Sequence, residues 1–259
     1  LRPCRAVSPG AARRPLIPPS PCPLGADHDT CVYVGTSTTP HVHMHTIAIL
    51  SQKGGTGKTT LALNLAMAAE AAGQPAVVID LDPQASAKGW HDNRAAESPV
   101  VISVQAARLA EALSTAEAHG AQLAVIDTAP HSESAALAAA RAASLVLIPC
   151  RPGILDLRAI AASADICALA KASAAAVLNA VPSRGPLADE AAEAISGYGL
   201  QVAPVHLGQR MAFVHSLTAG QGVLEYEPSG KAAQEIKALY AWTCTHVESS
   251  TGETLRAQA

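Results

Sequence analysis

The glycine-rich stretch from Lys53 to Thr60 restricts the possible folds of this chain more than any other feature. It reads Lys-Gly-Gly-Thr-Gly-Lys-Thr-Thr, follows the apolar run Thr46–Leu50 and precedes the alanine- and leucine-rich run Leu61–Ala72. A strand, a glycine loop and a helix in this order form the context of a phosphate-binding loop. Glycines let successive backbone N–H groups point at one anion, and the start of the helix adds partial positive charge. The stretch therefore predicts a phosphate site, with a plain tight turn as the alternative.

Two side chains of this loop carry the chemistry that a nucleotide needs. Lys58 can reach the β- and γ-phosphates, and the Thr59 hydroxyl can ligate Mg²⁺. The rest of the loop supplies backbone contacts. The predicted nucleotide-binding residues here are Gly54, Gly55, Thr56, Gly57, Lys58, Thr59 and Thr60.

After this loop, short apolar runs alternate with helix-length, alanine-rich segments. This alternation predicts an α/β fold: a doubly wound, mainly parallel sheet flanked by helices, with ligands at the C-terminal ends of the strands. The predicted strands are Thr46–Leu50, Ala76–Leu81, Val100–Val104, Leu123–Asp127, Leu145–Pro149, Ala175–Val181 and Leu200–Val205. The predicted helices include Leu61–Ala72, Ala106–Ala118, Glu133–Ala143, Leu155–Lys171, Leu187–Tyr198 and a last helix from about Lys231 to Val247.

Three aspartates end or follow predicted strands. Asp80 and Asp82 leave the second strand at alternate positions, so their carboxylates lie on one face. Beside Lys58 and Mg²⁺, that geometry suits holding metal-bound water and orienting an attacking water. Asp127 ends an apolar strand, which is the Walker B pattern for binding Mg²⁺ through water. The alternative for each aspartate is an acidic turn at a strand end.

The loop and the aspartates together resemble the ParA/MinD family of deviant Walker A ATPases. Lys53, five positions before Lys58, matches the family's additional lysine. Asp-Leu-Asp-Pro-Gln from Asp80 is similar to its switch I segment, and Asp-Thr-Ala-Pro from Asp127 is similar to an Asp-Thr-Pro-Pro, with Ala129 replacing one proline. The resemblance covers about residues 45–247 and is closest to the short ParA type, which has no N-terminal DNA-binding domain.

The resemblance implies an ATPase that binds ATP and Mg²⁺ and forms a homodimer when ATP binds. Lys53 would reach the partner's nucleotide, although its spacing alone leaves a solvated loop lysine open. Asp82 would position the hydrolytic water, so Lys53, Lys58 and Asp82 are the implied catalytic residues. Thr59, Asp80 and Asp127 would form or support the magnesium shell.

Two later residues are implied to contact the adenine base. Asn179 ends the run Ala176-Val177-Leu178-Asn179. In the family an Asn here reads the adenine edge, because its amide offers both a donor and an acceptor. A turn-capping Asn is the alternative. Pro204, within Val202-Ala203-Pro204-Val205, resembles the segment on the other side of the base.

Residues 1–43 differ in composition from the rest of the chain. They hold 8 of the 18 prolines and no periodic apolar pattern, so they cannot bury enough surface to fold alone. The chain starts with Leu1, and its first methionine, Met44, directly precedes the first predicted strand. We expect residues 1–43 to be a disordered Pro-rich extension, translated from upstream of the natural start at Met44. A transit peptide is the alternative. Residues 44–259 are expected to form one ATPase domain.

Charge and cysteine content argue against several protein classes. The formal net charge is −3, and because residues 1–43 contribute +2, residues 44–259 carry about −5. This is no basic nucleic-acid domain. The six cysteines form no Cys-x-x-Cys pair, which argues against a zinc or iron–sulfur site and favours reduced thiols in a cytosolic protein. No run of 18 apolar residues indicates a transmembrane helix.

The leading hypothesis is a cytoplasmic ATPase that partitions or positions plasmid DNA, chromosomal DNA or another cargo. A ParB-like, centromere-binding or other small adaptor protein would stimulate its hydrolysis. Non-specific DNA contact would involve Arg151, Arg158, Lys171 and Arg210, with ordinary surface charge as the alternative.

Two other functions stay open on sequence grounds. A MinD-like membrane-associated ATPase would need a basic amphipathic C-terminal helix, whereas the segment Val247–Ala259 is polar with scattered charge. A metabolic P-loop enzyme of the same fold would need an acceptor pocket beside the γ-phosphate.

We predict that a chain starting at Met44 keeps the melting temperature and the ATP affinity of the full chain, because residues 1–43 lack a core-forming pattern. Thermal unfolding and nucleotide titration of both chains test this. A clear loss of stability on truncation would show that the extension docks on the domain.

Overall fold

The computed structural model describes residues 44–257, with side chains described as far as Glu248. The predicted extension over residues 1–43 lies outside the described residues. Within them, seven strands form one sheet in the order β3-β2-β4-β1-β5-β6-β7. The strands are β1 (His45–Ile49), β2 (Ala76–Asp80), β3 (Val100–Ser103), β4 (Leu123–Asp127), β5 (Leu145–Cys150), β6 (Ala174–Leu178) and β7 (Gln201–Val202).

Every pairing between these strands is parallel, which confirms the predicted α/β class. Helices connect the strands, and a short 3-10 helix, Ala106–Arg108, precedes the third α-helix. The helices are α1 (Lys58–Ala71), α2 (Ser86–Asp92), α3 (Leu109–Ala118), α4 (Glu133–Ala142), α5 (Ile154–Ala170), α6 (Leu187–Ser196), α7 (Met211–Thr218), α8 (Val223–Tyr226) and α9 (Lys231–Ala257).

Each face of the sheet has its own core, because neighbouring residues of a strand point to opposite sides. In β1, Ile47 and Ile49 pack with α1, α2, α7, α8 and α9, whereas Ala48 packs with α3, α4, α5 and α6. The sheet is therefore doubly wound, as predicted. Aromatic residues make up only 3% of the chain, and both cores consist mainly of alanine, valine, leucine and isoleucine.

The last two predicted strands are shorter than expected. β6 ends at Leu178 because the chain turns at Ala180, which has a φ of 52°. β7 contains only Gln201 and Val202, and Pro204 follows it closely. Proline has no N–H to donate to a strand ladder. Three helices, α2, α7 and α8, were not among those predicted, since their segments carry no long apolar period.

None of the helices in the described part of the chain combines the length and the apolarity that crossing a bilayer requires.

A buried asparagine fastens the loop-bearing helix α1 to the short helix α8. Asn64 is fully buried, and its Nδ2 donates to the Thr60 carbonyl at 2.8 Å. Its Oδ1 accepts the backbone N–H of Val223 at 2.9 Å. The contact satisfies a donor at the start of α8 that is buried away from water, and such donors are costly to leave unpaired.

We predict that Asn64→Ala lowers the free energy of unfolding by about 2 kcal/mol, because the buried Val223 N–H loses its acceptor. Asn93→Ala is the matched control, since Asn93 makes the same amide-to-carbonyl bond to Gly89 on the surface. The control should cost less than about 1 kcal/mol. Urea unfolding of both variants measures the difference, and equal losses would contradict the fastening role of Asn64.

Candidate functional site

The strand order brings the predicted site residues to one edge of the sheet. β4 lies between β2 and β1, with Asp127 in register with Asp80 on one side and with Ile49 on the other. The glycine loop follows β1 and leads into α1. The two strand-end carboxylates and the loop therefore lie beside one another, as the sequence predicts.

Backbone conformation at the glycine loop requires glycine at its end. Gly57 has a φ of 95°, a left-handed conformation that favours glycine, and it caps the start of α1. A Cβ at this position would collide with the Asn179 amide. This approach places Asn179, from the far end of β6, directly against the loop.

Lys58 is buried within the loop and points back to its start. Its Nζ donates to the Lys53 carbonyl at 3.2 Å. Burial lowers the pKa of Lys58, while the charges of Asp127 and Asp82 oppose that change. The three side chains thus act on one another electrostatically, which is what a site for a phosphate and a cation requires.

Asp127 is the most unusual group of this edge. Its side chain is buried, and neither carboxylate oxygen has a hydrogen-bond partner among the described residues. Burial raises its pKa to about 7; the Thr59 hydroxyl and Lys58 oppose this rise, and Asp80 and Asp82 add to it. Unpartnered buried carboxylate oxygens beside a hydroxyl fit a hard divalent cation such as Mg²⁺.

Asp80 is engaged differently from Asp127. Its Oδ1 accepts the Asp82 N–H at 3.0 Å, and its Oδ2 accepts the N–H groups of Ala87 and Lys88 at 3.0 and 3.2 Å. Burial raises the pKa of Asp80, and these backbone hydrogen bonds oppose the rise. Asp80 therefore shapes the turn that carries Asp82 and satisfies the start of α2. Its support of a magnesium shell stays a prediction.

Asp82 lies on that turn, half-buried, and its Oδ1 accepts the Gln84 N–H at 2.9 Å. Beside it opens a cavity of about 700 Å³ at the ends of β2, β3 and β4. Polar groups of the lining come from Asp82, Gln84, Ser103, Gln105, Ser132 and Ser134. The sequence contained no signal for this cavity, because three segments that are distant in the sequence, residues 81–84, 103–106 and 129–135, line it.

The side chain of Asn179 makes two hydrogen bonds within the described chain. Its Nδ2 donates to the Thr56 carbonyl at 2.7 Å, and its Oδ1 accepts the Ala180 N–H at 2.8 Å. The second of these is the turn-capping contact considered as the alternative role. Pro204 is exposed just beyond β7. Adenine recognition by these two residues stays a prediction.

Lys53 has a partner that the sequence did not indicate. Its Nζ lies 2.9 Å from Oδ2 of Asp156, in the first turn of α5. Both ends of this pair belong to the same sheet edge, because α5 follows β5. The only sequence signal for this partner is an acidic residue soon after an apolar strand.

The four basic residues considered for DNA contact differ in their surroundings. Arg210 forms an ion pair with Glu235, which offsets its charge. Arg151, Arg158 and Lys171 are exposed. Arg210 is therefore a weaker candidate than the other three.

Comparisons with known proteins find relatives of this chain. The profile of the CobQ/CobB/MinD/ParA nucleotide-binding domain matches residues 47–210. The chain is 33% identical over 198 residues to a maintenance of carboxysome distribution protein A from Gloeobacter kilaueensis, which covers 75% of this chain and 89% of that protein.

Two solved structures share the fold at low sequence identity. The ATP complex of a variant of McdA from Cyanothece superposes with a TM-score of 0.62 at 17% identity, over 81% of this chain and 97% of that one. The septum site-determining protein MinD from Pyrococcus horikoshii, complexed with Mg-ADP, gives a TM-score of 0.64 at 17% identity, over 76% and 95% of the two chains.

We predict that Asp127→Asn stabilises the nucleotide-free protein at pH 8 but not at pH 4. The pKa of Asp127 is raised from 3.8 to about 7 by folding, so ionisation opposes the folded state. That penalty is absent below the unfolded pKa, grows between the two values and is complete above pH 7, at about 1.4 kcal/mol per unit of pKa. The amide removes it.

Denaturant unfolding in a metal chelator at both pH values measures this effect. Asp165→Asn, an exposed substitution on α5, is the control and should change little at either pH. A variant that is no more stable than the wild type at pH 8 would show that Asp127 is not desolvated.

Proposed function

The chain belongs to the CobQ/CobB/MinD/ParA family of nucleotide-binding domains, and we propose that it is an ATPase that pairs with a second copy on binding ATP and thereby positions a cargo. The observation that carries this proposal is the meeting of Lys58, Lys53 and the unpartnered Asp127 at one sheet edge. Two lysines and an unpartnered carboxylate match the charges of a triphosphate with its cation.

In the proposed complex, the loop from Gly54 to Thr60 surrounds the phosphates with backbone N–H groups. Lys58 leaves the Lys53 carbonyl for the β- and γ-phosphates, since an anion is a stronger acceptor than a carbonyl. Thr59 and Asp127 would hold Mg²⁺, which neutralises phosphate charge when it is bound. Asp80 supports this arrangement from the second strand through its backbone contacts.

Hydrolysis is proposed to depend on Asp82. Its half-buried carboxylate lies on the turn held by Asp80, at the side of the loop where the γ-phosphate would be. In the proposed complex it would accept a hydrogen bond from water and orient that water for attack. Asp82 has little to contribute to ATP binding itself, because its negative charge opposes that of the phosphates.

Pairing is proposed to use Lys53. Its side chain is 36% exposed, so its ammonium can reach a second molecule without crossing the protein interior. Each copy would then complete the other's phosphate site, and ATP would control assembly. An adenine contact by Asn179 and Pro204 belongs to this proposal as well; Asn179 would exchange its loop contact for the base.

The cargo is proposed from similarity. The relative from Gloeobacter kilaueensis is named for carboxysome distribution, which favours positioning of a large cargo over small-molecule synthesis. The other candidate cargo is DNA of a plasmid or chromosome. The exposed Arg151, Arg158 and Lys171 would contact it. We propose a cytoplasmic protein whose slow hydrolysis is stimulated by a ParB-like or other small adaptor.

The cavity beside Asp82 favours one second candidate, a metabolic enzyme that transfers the γ-phosphoryl group of ATP to an acceptor. An acceptor needs a pocket at this place, and about 700 Å³ is enough for a small molecule. ATP turnover with purified chain discriminates the two functions. Stimulation by DNA with the adjacent gene product supports positioning, whereas strict dependence on a small acceptor supports the enzyme.

We predict that Lys53 and Asp82 separate assembly from hydrolysis. Lys53→Ala should retain ATP binding by the monomer but lose ATP-dependent pairing and hydrolysis. Asp82→Ala should accumulate an ATP-bound dimer with strongly reduced turnover, because it lacks only the group that orients water. Light scattering and phosphate release, measured together on each variant, test both expectations.

Two control variants make the result specific. Lys58→Ala should lose tight ATP binding altogether, since it removes the charge that meets the phosphates. Lys171→Ala removes an exposed lysine at the other end of α5, about 25 Å along the helix, and should pair as the wild type does. If two Lys53→Ala chains still pair when ATP binds, or if Asp82→Ala hydrolyses ATP at the wild-type rate, the proposed pairing mechanism is wrong. The chain would then be a generic P-loop ATPase.

A further inference from the structure

A buried arginine side chain lies just after α2. Only 2% of the Arg94 side chain is exposed. Its Nε donates to the Ala96 carbonyl at 3.0 Å, Nη1 to the Gly220 carbonyl at 2.9 Å and Nη2 to the Ser98 carbonyl at 2.6 Å. Nη2 and Nη1 also donate to the Glu225 carboxylate of α8, at 3.0 and 3.2 Å. A guanidinium carries its N–H groups in a rigid fork, so this set of acceptors fixes it in one orientation.

These contacts join two segments that are distant in the sequence, the end of α2 and the start of α8. Gly220 has a φ of 67°, and a Cβ there would lie 3.1 Å from the Arg94 Cα, so the two backbones pack closely. The guanidinium carbon also lies 4.6 Å from the ring centre of Trp90, which packs α2 into the core. Glu225 in turn accepts the Gly222 N–H at 3.3 Å. We call the contacts of Arg94 with Gly220 and Glu225 the α2–α8 clamp.

The start of α2 is held by the same carboxylate that holds the turn of Asp82. Asp80 Oδ1 accepts the Asp82 N–H, and Asp80 Oδ2 accepts the N–H groups of Ala87 and Lys88. α2 has only seven residues, and a helix of this length is not stable by itself. Its placement therefore depends on its two ends, with Asp80 at the start and the clamp at the end.

The other side of the clamp is tied to the phosphate loop. α8 is bound to α1 through the hydrogen bond from the Val223 N–H to Asn64, and α1 begins at Lys58. The clamp thus links the helix that follows Asp82 to the helix that follows the glycine loop. Lys58 and Asp82, the two groups proposed to act at the γ-phosphate, are connected by this route in addition to the sheet.

We propose that Arg94 is a positioning residue for ATP hydrolysis, which holds α2, and with it the turn of Asp82, in a fixed place relative to the phosphate loop. This inference rests on the proposed function, because it needs Asp82 to orient the attacking water. The side-chain hydrogen bonds of Arg94 go to residues outside the loop and the Asp82 turn, so it acts through the position of Asp82. A displacement of about 1 Å can cost a reaction about 100-fold in rate.

Arg94→Lys tests this proposal on the full chain. The lysine keeps the positive charge, but its single ammonium cannot serve the acceptors that surround a planar fork. We expect kcat for ATP hydrolysis to fall by about 10-fold to 100-fold, while KM for ATP changes by less than about 3-fold, because the phosphate loop is intact. Arg108→Lys is the matched control and should keep the wild-type kcat, since Arg108 forms a similar two-bond pair with Glu111 at an exposed position.

Two further measurements separate positioning from a general loss of stability. In an Asp82→Ala background, Arg94→Lys should lower the residual turnover no further, since the group that it positions is gone. Hydrogen–deuterium exchange of the nucleotide-free Arg94→Lys chain should be faster than in the wild type by about 5-fold or more in α2, where one end has lost its hydrogen bonds. Exchange in α4, on the other face of the sheet, should be unchanged.

Glu225→Gln keeps the proposal testable if Arg94→Lys does not fold. The Glu225 side chain is 38% exposed, so the amide removes the charge of the clamp without burying a new polar group. It should lower kcat and speed exchange in α2 by smaller factors than Arg94→Lys. Thermal unfolding of each variant checks that it is folded.

The proposal is wrong if Arg94→Lys keeps the wild-type kcat, raises KM as much as it lowers kcat, or lowers turnover equally without Asp82. Unchanged exchange in α2 would also contradict it. If the wild-type chain has no turnover, or if Asp82→Ala hydrolyses ATP as fast as the wild type, the proposed function fails first and the catalytic role of the clamp fails with it. The exchange measurement still decides whether Arg94 holds α2.

Discussion

At the end of the central strand β4, the Asp127 carboxylate is buried, and no donor of the described residues lies in hydrogen-bonding geometry with its oxygens. An isolated charge in such a place is costly, and burial therefore raises the pKa of Asp127 to about 7. In the proposed complex, a cation would lie beside this carboxylate. The loop places a lysine and a hydroxyl beside the carboxylate, and Asp80 directs its own oxygens to backbone N–H groups.

The sequence predicted the parts of this site that depend on local order along the chain. A glycine loop between a strand and a helix, and aspartates at strand ends, are sufficient to place Lys58, Asp80 and Asp127 at one edge, because parallel strands end together. The doubly wound fold follows from the same alternation. The long α5 was predicted to within a residue at each end for the same reason.

Contacts between segments that are distant in the sequence could not be predicted from local sequence patterns. Nothing near Lys53 in the sequence indicates Asp156, since the two meet only after β5 and β1 pair. In the sequence Asn64 is one polar residue in an apolar helix, and its acceptor role depends on where Val223 is placed. The resemblance to the ParA/MinD family assigned Asp80 to the support of the magnesium shell. Its three backbone partners lie on a turn and a helix that the sequence pattern did not predict.

The order of the strands also has a consequence for how the chain is made. β1 comes first in the described chain, yet its neighbours in the sheet are β4 and β5, and β2 lies beyond β4. During synthesis the strand that carries the glycine loop therefore has no partner along either edge until the ribosome has passed Asp127, and its second edge stays open until Cys150. A nascent chain shorter than this exposes an apolar strand with unpaired backbone, the kind of surface that aggregates or recruits chaperones. The candidate nucleotide site can thus form only after translation has passed Asp127, the last strand-end carboxylate of the site.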